Sequence, residues 1–266
     1  MTDAWDRAAW EHLRAELDRW PPRGATVWWR DDDAGVAGPA FDRLLELAES
    51  HAAPLALAVV PAWLDEAAGA AIRGGPAGLR VVQHGYAHRN HEPPAPDGTR
   101  GKPAELGGAR PPAVALVELA AGWARLSALV PTRLRPGLVP PWNRIAPAVQ
   151  AALPGAGYRV LSTFGPREAA AGTGLRPLNA HVDPIQWRAD KQFGGAAWTL
   201  DQITTHLADR RAGRVDPTEP TGLLTHHRDL SPPAWAWLDE VLGRLRAHPA
   251  VAFPPLDSLL LDAQDR

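Results

Sequence analysis

Short apolar runs alternate with segments of helical periodicity along almost the whole chain, and this alternation limits the fold more than any other feature. Residues 25–29, 55–60, 79–82, 132–138, 158–162, 176–182, 222–226 and 251–253 read as strands, being short and rich in apolar residues. Helices are predicted over 3–20, from Pro39 onward with Phe41, Leu44, Leu45 and Ala48 in register, and over 114–130, 145–153, 198–211 and 232–247. Strands that alternate with helices imply a parallel sheet with right-handed crossovers, either open or closed. In barrels of this type the chemistry sits at the C-terminal ends of the strands, which is where the polar clusters of this sequence fall. One stretch breaks the pattern. Residues 89–112 are rich in Pro, Gly and charge, and a loop that long is usually a functional lid or disordered.

Composition narrows the chemistry. A chain of 266 residues suits one large domain. Its net charge of −2 lacks the basic excess of a nucleic-acid binder. Without cysteine there is no thiol nucleophile and no sulfur ligand, so any metal must be held by His, Asp or Glu. No run of about 18 apolar residues marks a membrane span. The first twenty residues are charged throughout and show no signal peptide, so the expected location is the cytoplasm.

Four clusters carry the candidate chemistry. Asp31, Asp32 and Asp33 follow a Trp-rich strand; adjacent carboxylates repel, and a cation relieves that. In an extended segment Asp31 and Asp33 point one way and Asp32 the other, so one can bind a metal while another moves protons. Taken alone, the cluster reads equally as an acidic turn or a helix cap. His84 and His88 lie four apart in one turn and can aim two imidazoles at one point, or form a solvated turn; His91, just beyond, reads as structural. His226 and His227 end a strand, where a histidine can act as a general acid or simply face solvent. Pro140-Pro141-Trp142-Asn143-Arg144 offers a rigid turn with a flat indole. Of the twelve tryptophans, Trp28, Trp63, Trp123, Trp198, Trp235 and Trp237 are assigned to the core, whereas Trp142 and Trp187 sit among motif residues. Together, one carboxylate and two imidazoles with an open position match a catalytic rather than a structural zinc site.

At these residues the chain resembles the polysaccharide deacetylases, the NodB-homology carbohydrate esterases. Arg30-Asp31-Asp32-Asp33-Ala34 lines up with T-F-D-D-G, with the register open by one residue at Asp31. His84 and His88 match H-[ST]-x-x-H, with Gly85 at the hydroxyl position, and Leu224-Thr225-His226 matches L-x-H. The resemblance implies a single-domain distorted (β/α) barrel of about seven parallel strands over 25–266, with residues 1–24 as a helix packed on it. It implies a divalent metal, zinc before others, held by Asp33, His84 and His88, with Asp32 as general base and His226 or His227 as acid. Trp142, Asn143 and Trp187 would bind substrate, and a backbone N–H near Trp142 would help hold the oxyanion. The reaction implied is removal of an N-acetyl group from a sugar; the alternatives are C–N hydrolysis of a small non-sugar amide and a non-catalytic carbohydrate-binding role.

Two departures stand out. The family's R-x-P-Y-G motif has an Arg that positions the base, and Val139 stands at its place. The second Asp of D-x-x-D-W is Gln186 here, within Asp183-Pro184-Ile185-Gln186-Trp187. Losing both charges together leaves neither unpaired. Arg144, Arg135 and Lys102 are the sequence's candidates to replace the cation.

Overall fold

The computed structural model describes residues 4–94, 98, 101–167, 174–189 and 191–261. Helix α1 (Ala4–Leu17) precedes β1 (Ala25–Ala34), and the chain then alternates through α2 (Pro39–Ser50), β2 (Leu55–Val59), α3 (Glu66–Gly74) and β3 (Arg80–His84). It continues through α4 (Pro112–Leu129), β4 (Leu134–Val139), α5 (Pro147–Ala152), β5 (Val160–Leu161) and β6 (Arg176–Pro177). A small hairpin, β7 (Ile185–Gln186) and β8 (Gln192–Phe193), leads to α6 (Ala196–Arg211), β9 (Thr221–Thr225), α7 (Pro232–Ala247), β10 (Val251–Ala252) and α8 (Leu256–Leu261).

All pairings in the main sheet are parallel, along the path β10-β1-β2-β3-β4-β5-β6, with β9 also beside β1. The ring closes through residues 178–182. Leu178 N donates to Leu161 O (3.0 Å) on one side, and Leu224 N donates to Val182 O (2.8 Å) on the other. This is the distorted (β/α) barrel expected. Strand parity sorts the side chains. Trp28, Ala56, Ala58, Val82 and Val139 point into the barrel, while Val27, Trp29, Leu55, Leu57 and Val81 face the helices. Parity therefore aims His84, two residues after Val82, into the barrel mouth.

Three elements were not expected. Helix α3 is a short Ala- and Gly-rich segment that buries Ala68, Gly69 and Ile72, and Asp65 caps it through Ala68 N (2.7 Å). The β7/β8 hairpin has only two residues per strand. Helix α8 inserts Leu256 and Leu259 into the barrel's interior cluster. Its Asp257 is held by Arg135 and by Arg80 (2.7 Å); the hydrogen bond from Arg135, then that from Arg80 and the two charges, keep that carboxyl below its usual range. Arg135 is therefore committed far from any catalytic base. Helix α4, 18 residues long, is apolar enough to cross a membrane by length and composition alone. In this fold its Ala115, Leu119, Gly122 and Leu126 are buried against the domain.

Where the ring closes, backbone approaches backbone. A Cβ on Gly222 would lie 2.5 Å from Asn179 O and 2.6 Å from the Trp28 indole nitrogen, which itself donates to Asn179 O (3.1 Å). Gly222→Ala should therefore lower stability by about 1–3 kcal/mol through overpacking. Urea unfolding at neutral pH checks this; a loss under about 0.5 kcal/mol would mean the closure is loose.

Candidate active site

The three aspartates end β1 and go three ways. Asp31 shares the outward face with Trp29. It is fully buried, accepts from Thr225 Oγ1 (2.6 Å) and His227 N (3.0 Å), and meets His227 Nδ1 at 2.5 Å. Asp32 points inward with Arg30. Asp33 departs from the alternation expected of it: its φ of 63° is left-handed, and the register of β1 against β2 slips between Asp31 and Ala34. The bulge turns Asp33 away from Asp31's side and towards the end of β3.

There it meets two imidazoles. His84 Nε2 and His88 Nε2 each stand 3.2 Å from Asp33 Oδ1, and the three ligand atoms lie within 4.8 Å of one another. His84 Nδ1 is 2.9 Å from Val139 O, a partner that can only accept, so Nδ1 carries a proton and Nε2, the nitrogen turned to Asp33, is the one that would coordinate a metal in place of its own proton. The donor set thus fits a divalent ion without rearrangement of this ring. Burial alone would raise the Asp33 carboxyl, but the His84 hydrogen bond and the charges of His84, His226 and His88 hold it well below the usual range. Burial would lower His84, and the Asp33 hydrogen bond with the charges of Asp32 and Asp33 raises it instead. Burial wins at His88, whose pKa falls.

The base candidate has a cation after all. Arg30, two residues before Asp32 on the same face of β1, is fully buried. Its Nε lies 2.9 Å from Asp32 Oδ1 and its Nη2 donates to Asp32 Oδ2 (3.1 Å). The guanidinium also donates to Ser162 Oγ (2.6 Å) and Asn143 Oδ1 (2.9 Å). This corrects the three sequence candidates. Arg144 donates to Pro103 O (2.8 Å), Arg135 holds α8, and Lys102 takes no part in the Asp32 pair. The charge missing from the turn after β4 has moved into β1, where motif comparison position by position could not find it. Asn143, expected to bind substrate, is tied to that guanidinium.

His226 follows β9 and points inward, while its neighbour His227 points outward to Asp31. That separates the two candidates for the acid. His226 packs against the edge of Trp187 (ring centroids 4.7 Å apart), and its buried Nδ1 has no hydrogen-bond partner among the described residues. Asp183 accepts from Trp187 Nε1 (2.7 Å) and Ile185 N (2.9 Å). Burial raises its pKa despite the opposing charge of His226. On the opposite wall Trp142 lies 4.3 Å from the His88 ring. Trp63 is a second correction: assigned to the core, it packs on His88 (5.5 Å) and under Arg228 at the mouth. Trp198, also assigned to the core, is 39% exposed. His91 meets Arg110 Nη1 at 2.8 Å, outside the metal-ligand cluster. Asp33, His88, Trp142 and Asn143 all have left-handed φ without being glycine, and they make up four of the seven such residues described. Strain of this kind collects where a site holds its backbone in place.

A second triad, His181, His206 and Glu219, is fully buried and passes the same proximity test. Its tautomer argues against an ion. Gly222 N donates into His181 Nδ1 (3.0 Å), so the proton of the neutral ring sits on Nε2, facing Glu219 Oε1 at 3.1 Å. In the third group, His91, Glu105 and Glu118, Arg110 stands where a cation would, donating to Glu118 (2.5 Å).

No family model and no curated protein sequence matches the chain. Solved structures do. A candidate polysaccharide deacetylase from Mycobacterium smegmatis superposes with a TM-score of 0.62 at 21% identity, over 85% of this chain and 77% of that one. The chain has the polysaccharide deacetylase fold. A family 4 acetyl xylan esterase from Clostridium thermocellum, in complex with a cobalt ion, gives 0.52 at 16% identity over 88% and 89%. A 4-α-glucanotransferase from Thermococcus litoralis gives 0.56 at 12% identity, over 92% of this chain and 41% of its own. A deacetylase fold is thus shared with other chemistry, and the reaction has to be argued from the site.

Two outcomes test this geometry. Arg30→Met leaves the buried Asp32 without its cation and should cost about 3–5 kcal/mol, most of it recovered in Arg30→Met/Asp32→Leu; urea unfolding of the four proteins of that cycle measures it. The second outcome concerns pH. Burial, then the charges of His181 and Arg210, lower His206 from 6.5 to about 3. Its contribution to stability is full above pH 6.5 and shrinks as pH falls towards 3, because only the unfolded chain takes up the proton in that window. His206→Asn should flatten the loss of stability between pH 6.5 and pH 4. An unchanged slope would show that His206 titrates normally.

Proposed function

We propose that the chain is a metal-dependent hydrolase that removes an acyl group, N-acetyl first, from a carbohydrate or sugar-containing substrate, with zinc before other divalent ions. The observation that carries this reading is the convergence of Asp33, His84 and His88 beside a second, separately held carboxylate, Asp32. Pure binding needs no such neighbour. The cobalt ion in the acetyl xylan esterase of the same fold supports a metal here. When bound, a divalent ion supplies Lewis acidity, which polarises an acyl oxygen and brings the pKa of water near neutrality.

The remaining chemistry belongs to side chains. Arg30 donates to Asp32 Oδ2 and its charge lies 2.9 Å from Oδ1, so the carboxylate is aimed before substrate arrives and can take the proton of an attacking water through Oδ1, which has no hydrogen-bond partner among the described residues. His226 is oriented by Trp187 and lies within the electrostatic reach of Asp33 and Asp183, which places it to hand a proton to the leaving amine. Trp142 and Trp187 form apolar walls on the two sides, suited to the flat face of a sugar ring. Asn143 acts through Arg30 rather than on the substrate.

Asp32→Asn should retain the bound metal while slowing acetate release from N-acetylated sugars by about 10²–10⁴-fold. Metal content by elemental analysis and acetate by enzymatic assay measure the two halves. Turnover within a few-fold of the parent protein would remove Asp32 from the mechanism.

A further inference from the structure

We propose that Glu105, from the long loop after β3, is the positioning residue that sets the His84–His88 turn in its metal-binding shape. This inference rests on the metal-site reading and adds the loop to it. Glu105 is 1% exposed. Its carboxylate accepts from three consecutive amides: Tyr86 N (3.2 Å), Ala87 N (2.7 Å) and His88 N (3.2 Å).

Successive N–H groups that converge on one point form an anion-binding concavity, and the carboxylate gives all three part-buried donors one acceptor. The turn starts at Gly85 with φ of 54° and ends at His88 with φ of 55°. A left-handed His88 is unfavourable by itself, by about 1–2 kcal/mol, and the carboxylate offsets that by collecting the amides the conformation brings together. His88 is also the ligand whose ring must be aimed at Asp33, so the backbone Glu105 holds is the backbone that orients the ligand.

The same contact accounts for Gly85 where the family motif has a hydroxyl residue. A Cβ at position 85 would lie 2.0 Å from Glu105 Oε2 and 2.6 Å from Pro141 Cγ. The loop's carboxylate fills the space that a side chain at 85 would need. Glu105 is itself fixed from both sides. Arg144 Nη1 donates to Pro103 O (2.8 Å), Ala146 N donates to Leu106 O (2.8 Å), and Asn90 Oδ1 accepts from Ala104 N (3.0 Å). Arg144, singled out in the sequence as a substitute cation, thus anchors the segment that carries Glu105.

Zinc and cobalt(II) affinities, measured by competition with a chromogenic chelator, test this in the parent protein, Glu105→Gln, Glu105→Ala and Asp33→Ala. Urea unfolding of each metal-free protein runs alongside. The parent should bind one ion per chain, lost in Asp33→Ala. Glu105→Ala should bind about 10–100-fold more weakly, and Glu105→Gln, which keeps the shape but replaces one acceptor with a donor, should fall between. Acetate release should return towards the parent rate when metal is raised to saturation, since Glu105 does not touch the reacting atoms. If Glu105→Ala does not fold, Glu105→Gln carries the comparison. Parent-like affinity in a folded Glu105 variant overturns the role of Glu105 and leaves the metal site standing. A parent protein that binds neither ion overturns the metal-site reading itself and this inference with it.

Discussion

Three neighbouring carboxylates at the end of one buried strand cannot share a direction, and the arrangement of the barrel mouth follows from how they are separated. Asp31 is spent on His227 and Thr225, outside the barrel wall. Asp32 is matched to the guanidinium of Arg30 inside it. Asp33 is swung by a left-handed residue onto the two imidazoles that follow β3. Each charge has its own counter-group, so none is left uncompensated in a medium where an isolated ion costs several kcal/mol. The bulge is what makes the third direction available. Regular alternation would have sent Asp33 to the same face as Asp31, away from both histidines.

Much of this was legible in the chain. Strand runs followed by helical periods gave the parallel barrel, because period 2 and period 3.6 are set by backbone geometry. The match of Asp33, His84, His88 and His226 to strand ends put them on one face of the domain. Less legible was anything decided across the sheet. Arg30 looked like one more charge beside an acidic cluster, and its reach to Ser162 and Asn143 spans more than a hundred residues of sequence. Glu105 sat in a polar stretch with no periodic signal. Trp63 follows β2 in a single 3-10 turn, where nothing local distinguishes a core indole from one at a mouth. Helix α3 is nine residues of mostly Ala and Gly with no large apolar residue but Ile72, and the β7/β8 strands are two residues each, so neither offers the run of bulky apolar side chains that marks an element in sequence.

Proximity of ligand-type residues is a poor guide to chemistry, and the two histidine triads show why. Both bring two imidazoles and a carboxylate within reach of a single point. What separates them is one hydrogen bond on the far nitrogen of one ring. A carbonyl facing His84 Nδ1 leaves the other nitrogen free to coordinate, whereas an amide facing His181 Nδ1 forces a proton into the place an ion would need. The shared fold with a glucanotransferase makes the same point at larger scale: the barrel is common property, and the donor groups at its mouth decide the reaction.

The inward position of Arg30 also ties the mouth to the barrel's centre. Its side chain borders a narrow interior space with Trp28, Ala56, Val82, Gly137 and Val160, and several of those residues are small. Those neighbours leave the guanidinium room to reach Asp32. Ala56 pairs with Arg30 in the β1/β2 register and borders the same space, so bulk gained there would press on the guanidinium and be felt at Asp32. Drift in the size of interior residues is therefore coupled to the chemistry above, and the freedom of this barrel to repack is narrower than its small and aliphatic members alone suggest.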